Sequence, residues 1–108
     1  VKVSEAAFQQ VVIDVARWHG WKVFHPLPAQ NARGRWRTAQ AGDTGFPDLV
    51  LAHPKRGVIF AELKSAIGKL SDRQQAWIDT LRQAGAEVYV WRPADIEQIK
   101  AILKESRP

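Results

Sequence analysis

The chain has 108 residues, no cysteine, a formal charge of +5 and a pI near 10.0. That length makes one domain, residues 1–108, with a core that needs no covalent staples. The missing cysteines exclude disulfides, thiol catalysis and a Cys-based zinc site, and the charge balance points to a polyanionic partner. No apolar run reaches the ~18 residues that cross a bilayer, so no membrane partner is expected. No signal peptide is legible; the expectation is a cytoplasmic protein, or a nuclear one in a eukaryote. Five tryptophans in so short a chain are expected mostly in the core.

A first helix is predicted from a Ser4 N-cap to about Trp18 or His19. Phe8, Val11, Val12, Val15 and Ala16 form its core face, and Gly20 is its stop. Glu5 and Gln9 lie on the flank of that face. Glu5 is either a first-turn carboxylate that suits the helix dipole or an acidic group turned toward a site. Trp21–His25 reads as a short strand. His19, His25 and His53 are too scattered for a metal cluster and read as polar termini.

Residues 26–44 are the least regular stretch, with Pro26, Pro28, Asn31, Gly34 and Gly42. A loop of this length more often carries function than not. Arg33, Arg35 and Arg37 alternate around Gly34 and Trp36. Guanidinium forks suit phosphates and an indole can stack on an unpaired base. The alternative is a solvated basic loop; because the loop leads directly into Gly45-Phe46-Pro47-Asp48, the DNA-contact reading is preferred. Asp43 reads as loop chemistry.

Gly45–Ala52 and Val58–Lys64 are rich in aliphatic and β-branched residues, with turn residues His53–Gly57 between them. The pair is a predicted antiparallel hairpin. A turn centred near Lys55 or Arg56 places Asp48 opposite Glu62 or Leu63. Side chains alternate, so Val58, Phe60, Glu62 and Lys64 share one face while Ile59, Ala61 and Leu63 share the other. A strand apolar on both faces is interior, and charges at its end cost free energy unless they pair or bind. A Glu–Lys or Asp–Lys ion pair leaves one carboxylate over. A divalent cation accounts for all three residues, because two carboxylates make a hard-oxygen site for Mg²⁺ or Mn²⁺.

After the Ser65–Lys69 loop, Ser71 and Gln74 match a capping box that starts a helix to about Gln83. Trp77, Ile78 and Leu81 define its buried face. Gln74 falls on the inward side and Gln75 on the outer side, so Gln74 either caps the helix or reaches a site. Lys69 and Arg73 at the helix start are placed to hold phosphates. Glu87–Trp91 is a fourth strand, parallel to the third because the connection is long enough for a crossover helix. A last helix, about Ala94–Lys104, turns Ile96, Ile99, Ile102 and Leu103 inward. The order α-β-β-β-α-β-α predicts an α/β fold with a mixed four-stranded sheet flanked by helices.

Pro47-Asp48 followed by Glu62-Leu63-Lys64 fits the PD-(D/E)xK nuclease pattern. Gly45-Phe46-Pro47-Asp48-Leu49, Ala61-Glu62-Leu63-Lys64, Leu70-Ser71 with Gln74 and Trp77, and Val90-Trp91-Arg92-Pro93 extend the likeness. Over nearly its whole length the chain resembles the VRR-NUC (virus-type replication-repair nuclease) family. The resemblance implies a restriction-endonuclease-like αβββαβ(α) core and metal-dependent hydrolysis of DNA phosphodiesters. It implies Mg²⁺ or Mn²⁺ on Asp48 and Glu62, with the Leu63 carbonyl as a further ligand and Glu5 completing the acidic set directly or through water. It gives Lys64 one of three tasks: orienting the attacking water, helping its deprotonation, or stabilising transition-state charge. It also assigns an active-site role to Gln74. The family's association with DNA repair, and that of its small phage and bacterial forms with Holliday junctions, implies branched DNA such as junctions or flaps. A stand-alone nuclease this small could cut both strands of a junction symmetrically as a homodimer. The alternatives are a restriction- or recombination-associated nuclease on linear duplex or ends, and a catalytically silent DNA-binding module.

Overall fold

The computed structural model describes residues 4–26, 29–30, 36–37 and 42–105. Helix α1 (Glu5–Trp18) opens the fold, and its Ser4 cap accepts a hydrogen bond from the Ala7 amide at 3.1 Å. Strand β1 (Lys22–Phe24) follows. Ala29–Gln30 (β2) and Trp36–Arg37 (β3) then pair with each other in a separate two-stranded ribbon. The irregular composition of residues 26–44 predicts only a loop. Two residues per strand are too few for an alternation pattern to show.

Strands β4 (Leu49–His53) and β5 (Gly57–Leu63) form the hairpin, helix α2 (Asp72–Gln83) crosses over, and β6 (Glu87–Trp91) lies parallel to β5. A single 3₁₀ turn, Pro93–Asp95, leads into helix α3 (Ile96–Lys104). The main sheet runs β1-β4-β5-β6, so β5 is interior, as its two apolar faces require. This is the mixed four-stranded α/β architecture expected.

One sheet face carries Leu49, Leu51, Ile59, Ala61, Leu63 and Trp91. It packs against Phe8, Val12, Ile13 and Ala16 of α1 and Ile99 and Leu103 of α3. On the other face the Phe60 ring meets Phe46 at 5.9 Å, and Phe46 meets Trp77 of α2 at 5.0 Å, both edge-on. Each large aliphatic side chain taken from water here stabilises the fold by about 1.5–3 kcal/mol. One expectation changes. Val11 is 41 % exposed and Ile13 takes the core position, because the buried stripe Phe8–Val12–Ala16 widens toward Ile13. Trp21 and Trp91 are core residues, but Trp18 is 86 % exposed.

Candidate active site

The β4–β5 register pairs Leu49 with Ala61 and Leu51 with Ile59. One step further along the ladder puts Asp48 beside Glu62. Asp48 sits just before the strand, so its side chain is free to act as a ladder acceptor: Oδ2 takes the Leu63 amide at 2.8 Å. Its own carbonyl accepts from His25 Nδ1–H at 2.8 Å, at the end of β1. Pro47 is fully buried beneath it.

Glu62 is 1 % exposed, and its Oε2 has no hydrogen-bond partner. Burial pushes its carboxyl up to about 9, with the hydrogen bond that protonated Glu62 donates to Asp48 and repulsion by the Asp48 carboxylate adding to the rise. The Lys64 ammonium works in the opposite direction, and Glu5 adds a smaller upward push. Asp48, Lys64 and Glu5 therefore all lie close enough to act on the Glu62 carboxyl. The tight unit among them is the Asp48–Glu62 pair. Glu5 is exposed on the first turn of α1. Among the described residues no three acidic or histidine side chains are drawn into a ready-made ligand set.

The donor chemistry nevertheless fits a divalent cation. Two adjacent carboxyls, one fully buried with an orphaned oxygen, carry an excess of negative charge when ionised. A hard cation would satisfy that oxygen and reverse the upward shift.

The other expected residues sort as follows. Lys64 continues the β5–β6 ladder, its amide donating to the Trp91 carbonyl at 2.9 Å. The described hydrogen bonds of Gln74 go to the cap: Oε1 accepts from the Ser71 amide at 2.9 Å, and the Gln74 amide donates to Ser71 Oγ at 3.2 Å. Arg73 donates to Thr44 Oγ1 at 2.7 Å, which ties it to the loop before the motif. Lys69 is exposed at the start of α2. Arg33 and Arg35 lie outside the described residues, and Arg37 is described only as backbone of β3.

Two supports are not visible in the periodicity. Gly45 has φ +95°, and a Cβ there would come within 2.6 Å of the Arg73 carbonyl carbon, so the chain before Asp48 rests directly on the first turn of α2. Trp77 Nε1 donates to the Asp43 carbonyl at 3.2 Å and closes the same contact. A cleft of about 480 Å³ lies outside it, lined by Asp43, Thr44, Arg73 and Trp77 but by none of Asp48, Glu62 and Lys64. The second support is Arg92, whose Nη1 donates to the Ser65 and Gly68 carbonyls, both at 2.7 Å. It clamps the turn that follows Lys64. Only Gly45, as a glycine inside the Gly45-Phe46-Pro47-Asp48 motif, gave a signal in the sequence; nothing local marks Arg92.

The fold and this site define an α/β protein of nuclease-like architecture, with paired carboxyls and a lysine at the exit of a central hairpin. The VRR-NUC domain model matches residues 6–95, and the chain belongs to that family of nucleases. Two solved structures share the fold. One, described as a VRR_NUC domain, is 24 % identical with a TM-score of 0.66, covering 94 % of this chain and 95 % of that one. The other, described as a VRR_NUC domain protein, is 18 % identical with a TM-score of 0.52, covering 99 % and 98 %. A comparison with curated proteins finds no match.

Proposed function

We propose that this chain is a divalent-metal-dependent DNA endonuclease that acts on branched duplexes such as Holliday junctions or flaps. The observation that carries the reading is the buried Asp48–Glu62 pair with its orphaned Glu62 oxygen. Mg²⁺ or Mn²⁺ would be held by Asp48 and Glu62, with the Leu63 carbonyl and Glu5 completing the set, and would supply Lewis-acid neutralisation of the phosphate and a more acidic water. Asp48 is held for this by the Leu63 amide on one side and His25 on the other. Lys64, the cation that bears on Glu62, orients the attacking water or meets the charge that develops on the phosphoryl oxygens. Gln74 acts through the cap of α2, against which Gly45 rests. Arg33, Arg35, Arg37, Lys69 and Arg73 hold backbone phosphates, in keeping with the net charge of +5. Two copies related by a twofold axis would make symmetric cuts at a four-way junction.

The test is cleavage of a four-way junction, a flap and a linear duplex across a Mg²⁺ and Mn²⁺ titration. The junction or flap is expected to be cut fastest. Asp48→Ala and Lys64→Ala should each lose at least about 10²–10³-fold in rate while unfolding at or near the wild-type midpoint. Wild-type rates in either variant would overturn the assignment. Binding without turnover in Mn²⁺ would make the chain a DNA-binding module instead, and light scattering with and without junction DNA decides the dimer.

A further inference from the structure

The five exposed large hydrophobics among the described residues are Val11, Trp18, Phe24, Val58 and Ile67. The first four sit on regular helices and strands. Ile67 is 84 % exposed on the short turn between β5 and α2, three residues after Lys64 and two before Lys69. A single exposed apolar residue is ordinary on a protein surface; what sets Ile67 apart is its clamped position between two lysines beside the paired carboxyls. Here the backbone is held. Arg92 Nη1 binds the carbonyls on both sides of the turn at 2.7 Å, and Ser65 Oγ accepts from the Gly68 amide at 2.9 Å. A Cβ on Gly68 would meet Ser65 Oγ at 2.9 Å and Lys64 Cδ at 3.6 Å, so the turn lies against the Lys64 side chain itself. A clamped turn thus presents one aliphatic side chain to solvent, with an ammonium group on each side along the chain.

We propose that Ile67 is a wedge that unstacks a base step of duplex DNA next to the phosphate engaged by Lys64. Proteins that bend DNA insert aliphatic side chains between base steps in this way, and the flanking cations hold the neighbouring phosphates. The proposal rests on the nuclease reading and narrows it. A wedge favours substrates whose stacking is already weak at the cut site, which is the property that a branch point supplies and a continuous duplex lacks. Lys64 and Lys69 set the register, and Arg92 makes the wedge stiff enough to act.

The experiment places 2-aminopurine at successive positions around the cut site of a flap, with metal withheld by EDTA so that no strand is broken. The wild-type protein should raise fluorescence at one position beside the cut. Ile67→Ala should remove that rise while weakening binding by less than about tenfold, and Ile67→Leu should keep it. With Mn²⁺ present, Ile67→Ala should slow cleavage of a fully paired site about tenfold, and a mismatch at the same step should restore the rate. Because Ile67 is exposed, the thermal midpoint should not move. No rise at any position, or an unchanged rise in Ile67→Ala, overturns the wedge; normal cleavage of the same flap by the wild-type protein once Mn²⁺ replaces EDTA would leave the nuclease reading standing. An Ile67-dependent rise with no cleavage in any metal would do the reverse.

Discussion

Strand β5 carries a charged cluster at each end, roughly 20 Å apart. At its start Arg56, with a side chain 2 % exposed, makes twin hydrogen bonds to Glu87, both at 2.8 Å. Glu105 lies 3.6 Å from the same guanidinium, Tyr89 donates to Glu87, and the Trp21 ring lies under Arg56 at 5.7 Å. At the other end Asp48 and Glu62 stand together, with Lys64 and Glu5 bearing on Glu62. Each end leaves a buried atom unpaired, Arg56 Nε in one case and Glu62 Oε2 in the other. The difference lies in how the buried group is partnered. A guanidinium already paired twice loses little by one idle N–H, whereas a buried carboxyl beside a second carboxyl is a site for a cation. A cluster whose buried cation meets a carboxylate through two hydrogen bonds is structural; one whose buried carboxyl faces a second carboxyl and keeps an oxygen unpartnered is suited to hold a cation.

The sharpest way to break this comparison is to remove Arg56. Arg56→Ala should cost about 3–5 kcal/mol, because Glu87 would be left in a site arranged for a cation. The urea midpoint measures that loss, and cleavage per folded molecule should stay at the wild-type rate. A fall in cleavage beyond the unfolded fraction would mean that the two ends are not independent. Gly45→Ala should come next, at about 2–3 kcal/mol, since it combines a positive φ with a backbone collision against Arg73. It strikes the carboxyl end, so denaturation and cleavage should both worsen.

The third prediction is pH dependence. Glu62 in the folded protein keeps its proton up to about 9, against 4.5 for the unreacted carboxyl in the unfolded chain. Between those values the folded state binds more protons, so without metal its stability falls as pH rises and levels off above about 9. Thermal midpoints in EDTA should show that decline, Mn²⁺ should offset it at pH 8, and Glu62→Gln should remove both effects. A midpoint indifferent to pH and metal would dissolve the contrast between the two ends.

Much of this was legible in the residues. The hairpin turn at Pro54–Gly57 and the period-two alternation were enough to bring Asp48 opposite Glu62, because partners across a hairpin are set by their distance from the turn. The Ser71–Gln74 capping box was equally readable, but it left open whether Gln74 serves the cap or the site. The described bonds place it in the cap. Val11 was misplaced because a helical stripe shows which residues share a side and not how wide the covering layer is. The β2–β3 pairing was too short to leave a pattern.

Local chain chemistry alone decided the order of elements, the hairpin register and which charged groups share a strand end, since each depends on neighbours a few residues apart. Tertiary packing decided that Glu62 is sealed from water, that Gly45 leans on α2, and that Arg92 grips the turn holding Ile67. Those contacts join segments far apart in the chain. Their geometry follows from how helices and sheet stack, which no window of sequence encodes.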